Sequence, residues 1–208
     1  GQVIRLDAMQ GARQLSGIAM NKNTNIYVFT ESARLIEGKP IDDGLSGTLV
    51  KFNKGVGKFL SKHAGAIAMD PAEYPKRPLD VSAQWVENAE WLYGAVGHGQ
   101  NGCICLFVRV KVDYFDRAFV PAPFLYEVAV LDSTGNLILK IGQYGNEDSK
   151  GKNSKERLGG DEVGLFHPCF VGTHTDHRLF ISDTGNSRIV SVKLKYVVDE
   201  TLTLRIQK

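Results

Sequence analysis

The stretch from Leu137 to Leu194 constrains the fold of this chain more than any other. It begins with Ile138-Leu139-Lys140-Ile141-Gly142-Gln143-Tyr144-Gly145 and passes through a segment rich in Gly, Lys and Ser. Order resumes at Gly164-Leu165-Phe166-His167-Pro168, and a final run from Arg178 to Val192 carries Asp183-Thr-Gly-Asn-Ser-Arg188 at its centre. Short β-branched and aromatic runs that alternate in polarity, cut by Gly, Asn and Asp, are the signature of antiparallel strands and hairpins. Leu179, Ile181, Ile189 and Val192 are expected to pack between neighbouring sheets. Asp183 and Asn186 are expected to bond local backbone amides of the turn, and Arg188 to reach across that turn or to a neighbouring sheet.

Weaker copies of this pattern occur twice upstream. The first has strands at Leu15–Met20, Asn25–Thr30, Gly47–Phe52 and Lys58–Leu60. The second has them at Cys105–Val112, Arg117–Val120, Tyr126–Leu131 and Leu137–Ile141. The third has them at Cys169–Val171, Arg178–Ser182, Arg188–Lys195 and Thr201–Ile206. The units span 11–64, 103–146 and 164–208. An insertion at 65–102 and a flexible loop at 147–163 separate them, and the connection from Ala33 to Gly47 is widened. Asp132-Ser-Thr-Gly135-Asn136 supplies residues that tolerate the positive φ of a tight turn. Four short antiparallel strands repeated along a chain point to an all-β fold with radially arranged sheets.

The order of residues from Ile141 to Val192 resembles the NHL repeat, a β-propeller blade whose pattern runs roughly "iG..G...g.f..P..v......lfvsDtgN.RI..v". The resemblance implies NHL-like blades of four antiparallel strands: three blades plus an insertion, half of a six-bladed ring. The missing half would be further blades of a parent chain or a second copy, because open faces on the first and third blades are apolar. Within the repeat, Asp183 and Arg188 have a structural role.

Composition excludes several classes. Twenty-five basic against 23 acidic residues, with no Lys/Arg block interleaved with aromatics, leave no nucleic-acid footprint. No apolar run is long enough for a transmembrane segment. Gly142, Gly145, Gly159 and Gly160 do not follow a strand and open a helix, so no dinucleotide fingerprint is present. Three cysteines exclude a fully paired intrachain framework and leave the compartment open, with an extracytoplasmic setting favoured.

The one enzyme-like constellation is Cys103, Cys105, His167 and Cys169. Superposing the units sets Cys105 at the start of one inner strand and Cys169 early in the next, with His167 beside it. Thiolates and an imidazole suit a transition metal such as zinc; a disulfide or buried inert thiols are the alternatives. His174 and His177 belong to a turn, His63 and His98 have no evident partners, and no histidine recurs at an equivalent position in each unit. Asp113, Asp116 and Arg117 read as a hairpin turn. The leading expectation is therefore a non-catalytic scaffold that binds a protein partner or ligand. A metal-dependent propeller lyase or hydrolase, its site at the channel mouth, is the alternative.

Overall fold

A computed structural model describes residues 1–4, 9–10, 15–36, 39–41, 45–53, 57–60, 85–94, 96–97, 107–146 and 163–195. The protein is all-β, built from several antiparallel sheets, none closed into a barrel. The first sheet orders Leu15–Met20, Ile26–Thr30, Thr48–Phe52 and Ala89–Tyr93 side by side. The second orders Lys111–Val112, Ala118–Ala122, Glu127–Leu131 and Leu137–Ile141. The third has Pro168–Thr173, Arg178–Asp183 and Arg188–Lys193. All neighbours within these sheets are antiparallel.

The same turn chemistry recurs in each sheet. The first hairpin closes through a backbone bond from Asn21 to Asn25 in the first sheet, from Asp113 to Arg117 in the second and from His174 to Arg178 in the third. Each turn places its fourth residue in the left-handed region: Thr24, Asp116 and His177 all lie near φ +65° (66, 64 and 65). The side chains of Asn21 and Asp113 accept backbone N–H bonds inside these turns, offsetting the cost of that conformation. The second hairpins of the later sheets also match. Pro123–Leu125 and Thr184–Asn186 are single 3₁₀ turns that end on left-handed Tyr126 and Ser187. In the first sheet that connection is the wide segment beginning at Glu31.

Alternation assigns each strand two faces, and the sheets stack through them. Tyr27, Phe29 and Leu49 of the first sheet meet Val110, Val112, Ala118, Val120 and Leu131 of the second in one core. The opposite face of the second sheet, with Phe119, Val128, Val130 and Ile141, meets Leu179 and Ile181 of the third. The outer side of the first sheet is covered in part by a separate three-stranded sheet of Met9–Gln10, Gly57–Leu60 and Trp85–Glu87, which contributes Phe59 and Val86 over Val28, Val50 and Phe52.

That small sheet corrects an expectation. Lys58–Leu60 does not complete the first sheet; it pairs with Trp85–Glu87, and Ala89–Tyr93 from the expected insertion is the fourth strand. The two strands extend one long hairpin that bends at a register shift between Lys51 and Phe52. Ile189 is a second correction. It pairs with Ser182, on the opposite face from Val190 and Ile181, and is 74% exposed. The loop at 147–162, most of the insertion and the fourth strand expected at Thr201–Ile206 lie outside the described residues. Gln143–Tyr144 and Gly164–Leu165, which flank that loop, pair in parallel. Among the described residues no helix is long and apolar enough to cross a membrane.

Candidate functional site

The first strands of the three sheets lie side by side. The Ser16 hydroxyl donates to the carbonyl of Val108 and accepts from its N–H at 2.8 Å. The N–H of Arg109 donates to the carbonyl of Cys169 at 2.9 Å, and Arg109 bridges Phe170 in parallel. The Arg109 guanidinium also bonds the Ser16 carbonyl. The backbone at Arg109 therefore runs beside Cys169 and Phe170. Cys103 and Cys105 themselves lie outside the described residues, as do His63 and His98. His174 and His177 are exposed on the first hairpin turn of the third sheet.

Cys169 is a free cysteine, 5% exposed. Burial pushes its thiol pKa up, against a weaker opposing effect of the Thr184 hydroxyl 3.6 Å away. A thiol held in its protonated form is a poor nucleophile and ligates a metal only by giving up that proton. Thr184 also donates to the His167 carbonyl at 2.9 Å, which fixes the backbone just before Pro168. Among the described residues no group of three or more His, Cys, Asp and Glu is arranged to hold a metal ion.

Asp183 organises the backbone here. It is fully buried, and its Oδ1 accepts the N–H groups of Phe166 and His167, each at 2.9 Å. Its Oδ2 accepts from Asn186 Nδ2 at 2.7 Å and from Arg188 Nε at 3.1 Å. Asn186 donates onward to the Gly145 carbonyl, and Arg188 to that of Gly164. The expected local turn bonds of Asp183 are thus replaced by bonds to the segment leading into the third sheet. The reach of Arg188 beyond its turn is as expected.

This latch presents a feature missed in the sequence. Tyr126 and Tyr144 meet edge to face with ring centroids 4.9 Å apart, and Tyr144 meets Phe166 at 6.0 Å. Tyr144, Phe166 and nearby Phe124 are each 40–47% exposed. The rings form a half-open aromatic strip across the junction of the second and third sheets, at the end where Cys169 begins its strand. Its only sequence signal is that Tyr144 and Phe166 flank the glycine breaks at either side of the 147–162 segment.

No family model matches the chain, and no curated protein matches it. Among solved structures it is similar to an iodide structure of a Trichoderma reesei carbohydrate-active enzyme of family AA12. The two share 12% identity at a TM-score of 0.46, over 90% of this chain and 54% of that one. The chain thus spans about half the length of that structure, and a likeness of this size assigns it no reaction.

Proposed function

We propose that the three sheets are NHL-like blades, a segment of a β-propeller, and that the segment is a non-catalytic scaffold that binds a protein or ligand. The aromatic strip of Tyr126, Tyr144 and Phe166 carries this reading. Three rings held in edge-to-face contact and left half open offer rigid amphipathic contact area that costs little entropy to order on binding. The buried Asp183 latch supports it, because it fixes the backbone under Phe166. The recurrence of the first hairpin turn in all three sheets supports the blade assignment. The test is a selection of peptides and glycans against the immobilised protein, repeated with a Tyr144→Ala/Phe166→Ala variant. Ligands lost in the variant support the scaffold; ligands retained equally by both overturn it.

The second reading is a metal-dependent lyase or hydrolase using Cys103, Cys105, His167 and Cys169 with a transition metal such as zinc. The bond from Arg109 to Cys169 favours it, since it aligns the strand following Cys105 with Cys169. Stoichiometric zinc in protein purified without metal resin, lost on Cys169→Ser, would favour this reading over the scaffold.

A further inference from the structure

The rings of the aromatic strip stand across one another rather than side by side. Tyr126 and Tyr144 meet at an interplanar angle of 73°, and Tyr144 and Phe166 at 80°. Each contact therefore forms a corner between two ring planes. A flat ligand ring covers one wall of such a corner at a time, whereas a puckered ring of similar size touches both. The corners are held rigidly. A Cβ on Gly185 would collide with Cδ1 of Phe166, so the glycine is what lets that ring lie against the Thr184–Asn186 turn.

The polar groups around the strip divide unevenly. The Tyr144 hydroxyl accepts from Asn146 Nδ2 at 3.1 Å, which leaves its own O–H to donate. The Tyr126 hydroxyl has no hydrogen-bond partner among the described residues and can donate as well. The neighbouring acceptors are already engaged: the Gly145 carbonyl by Asn186, that of Gly164 by Arg188 and that of Leu165 by the Gly145 N–H. Charge is cancelled too. Arg188 pairs with Asp183 inside the latch, and beside Tyr126 the carboxylate of Glu127 pairs with Lys140 at 2.7 Å. The described surroundings thus suit a ligand that is neutral, rich in acceptors, poor in donors and puckered. A proline-rich segment has this character: its pyrrolidine rings are not flat, its carbonyls accept, and its prolines carry no N–H. A glycan hydroxyl brings a donor with every acceptor, and an acidic or phosphorylated peptide finds no unpaired cation among these groups.

We propose that Tyr126, Tyr144 and Phe166 dock a proline-rich segment in the polyproline II conformation, its pyrrolidine rings in the two corners and its carbonyls accepting from the tyrosine hydroxyls. This rests on the scaffold reading and names the class of its ligand. Such a segment is extended before it binds, so little ordering entropy opposes a contact of this small size.

Decaproline titrated into the isotope-labelled 208-residue protein tests it, with binding read from the amide resonances. Saturable shifts are expected at residues 143–145 and 164–167. Tyr144→Ala and Phe166→Ala should each weaken binding about tenfold or more. Tyr144→Phe keeps the wall and removes the donor, and should weaken it about 2- to 10-fold. Ile189→Ala, on the opposite face of the third sheet, should bind as the parent does. The resonances outside the strip show whether each variant is folded. Silence at millimolar decaproline overturns the proposal, as do shifts centred elsewhere, binding retained by both alanine variants, or equal binding of a Gly-Ser peptide. Cellohexaose is titrated in parallel. If it shifts the strip amides while decaproline does not, the proline assignment falls and the scaffold reading stands. If neither binds and the ligand selection is unchanged in the Tyr144→Ala/Phe166→Ala variant, both fall.

Discussion

A carboxylate buried completely in a β fold survives only when its lone pairs are filled, and Asp183 has two amides, a carboxamide and a guanidinium around it. Replacing it with Ala leaves these donors facing one another and Arg188 without its counter-charge. The expected cost is about 3–5 kcal/mol in urea unfolding with an unchanged m-value; a loss below about 1 kcal/mol would show that the latch is not a stability centre. Asp132 makes the opposite use of the same chemistry on an exposed turn. The Asn136 amide first, then Thr134, hold its carboxyl down to about 2 from an ordinary 3.8, against some desolvation. Because the folded form binds the proton less tightly than the unfolded one, its stabilisation is complete above 3.8 and disappears as pH falls toward 2. An Asp132→Ala variant should therefore lose its deficit against the parent across that window, read as converging unfolding midpoints. The asparagine and aspartate turns were legible from residue type alone. The partners of Asp183 were not: Phe166 and His167 lie 17 and 16 residues upstream, just ahead of the strand that pairs with its own, and no residue type there marks them as its donors.

At the scale of strands, alternation decides which isoleucine matters. Ile181 is fully buried against the second sheet, and Ile189, its neighbour but one across the hairpin, faces outward. Ile181→Ala should cost about 2–5 kcal/mol, whereas Ile189→Ala should stay within about 0.5 kcal/mol. Guanidinium unfolding of both variants checks the assignment, and equal losses would mean that the register is shifted by one residue. That register could be read from the sequence for Leu179 and Ile181 but not for Ile189, because Arg188-Ile-Val-Ser-Val offers two adjacent apolar residues at its start and either can face the core. The fourth strand of the first sheet was hidden for a related reason. Lys58–Leu60 follows closely after Phe52 and satisfies local strand chemistry, while Ala89–Tyr93 is reached only after a long excursion. What selects the latter is tertiary. Trp91 donates its indole N–H to the Ser133 carbonyl at 3.0 Å, and buried Lys51 donates to the same carbonyl and pairs with Glu90. These contacts tie the strand to the Asp132 turn of the next sheet, and no local pattern announces them.

Across the described sheets, the first strands touch one another, and the approach is tight at Gly17. A Cβ there would lie 2.7 Å from the Val108 carbonyl oxygen and 3.2 Å from the Val110 nitrogen, both backbone atoms that cannot swing aside. The Ser16 and Arg109 bonds depend on that separation, because both span the same gap between the first and second sheets. Gly17→Ala should thus push two sheets apart at their shared edge and cost about 1–3 kcal/mol, the range for overpacking a tight contact. Gly172, on the first strand of the third sheet, is the control: a Cβ there meets nothing within 4 Å, so Gly172→Ala should be tolerated. Hydrogen exchange locates the effect. The amides of Val108 and Arg109 should lose protection in Gly17→Ala, the first because its acceptor is the Ser16 hydroxyl and the second because its strand is displaced from Cys169. The Arg178 to Lys193 hairpin, held through Leu179 and Ile181 by the separate core of Phe119, Val128 and Leu165, should keep its protection. Uniform loss of protection across both cores would mean that the sheets unfold as one body and that the inner strands are not a distinct seam.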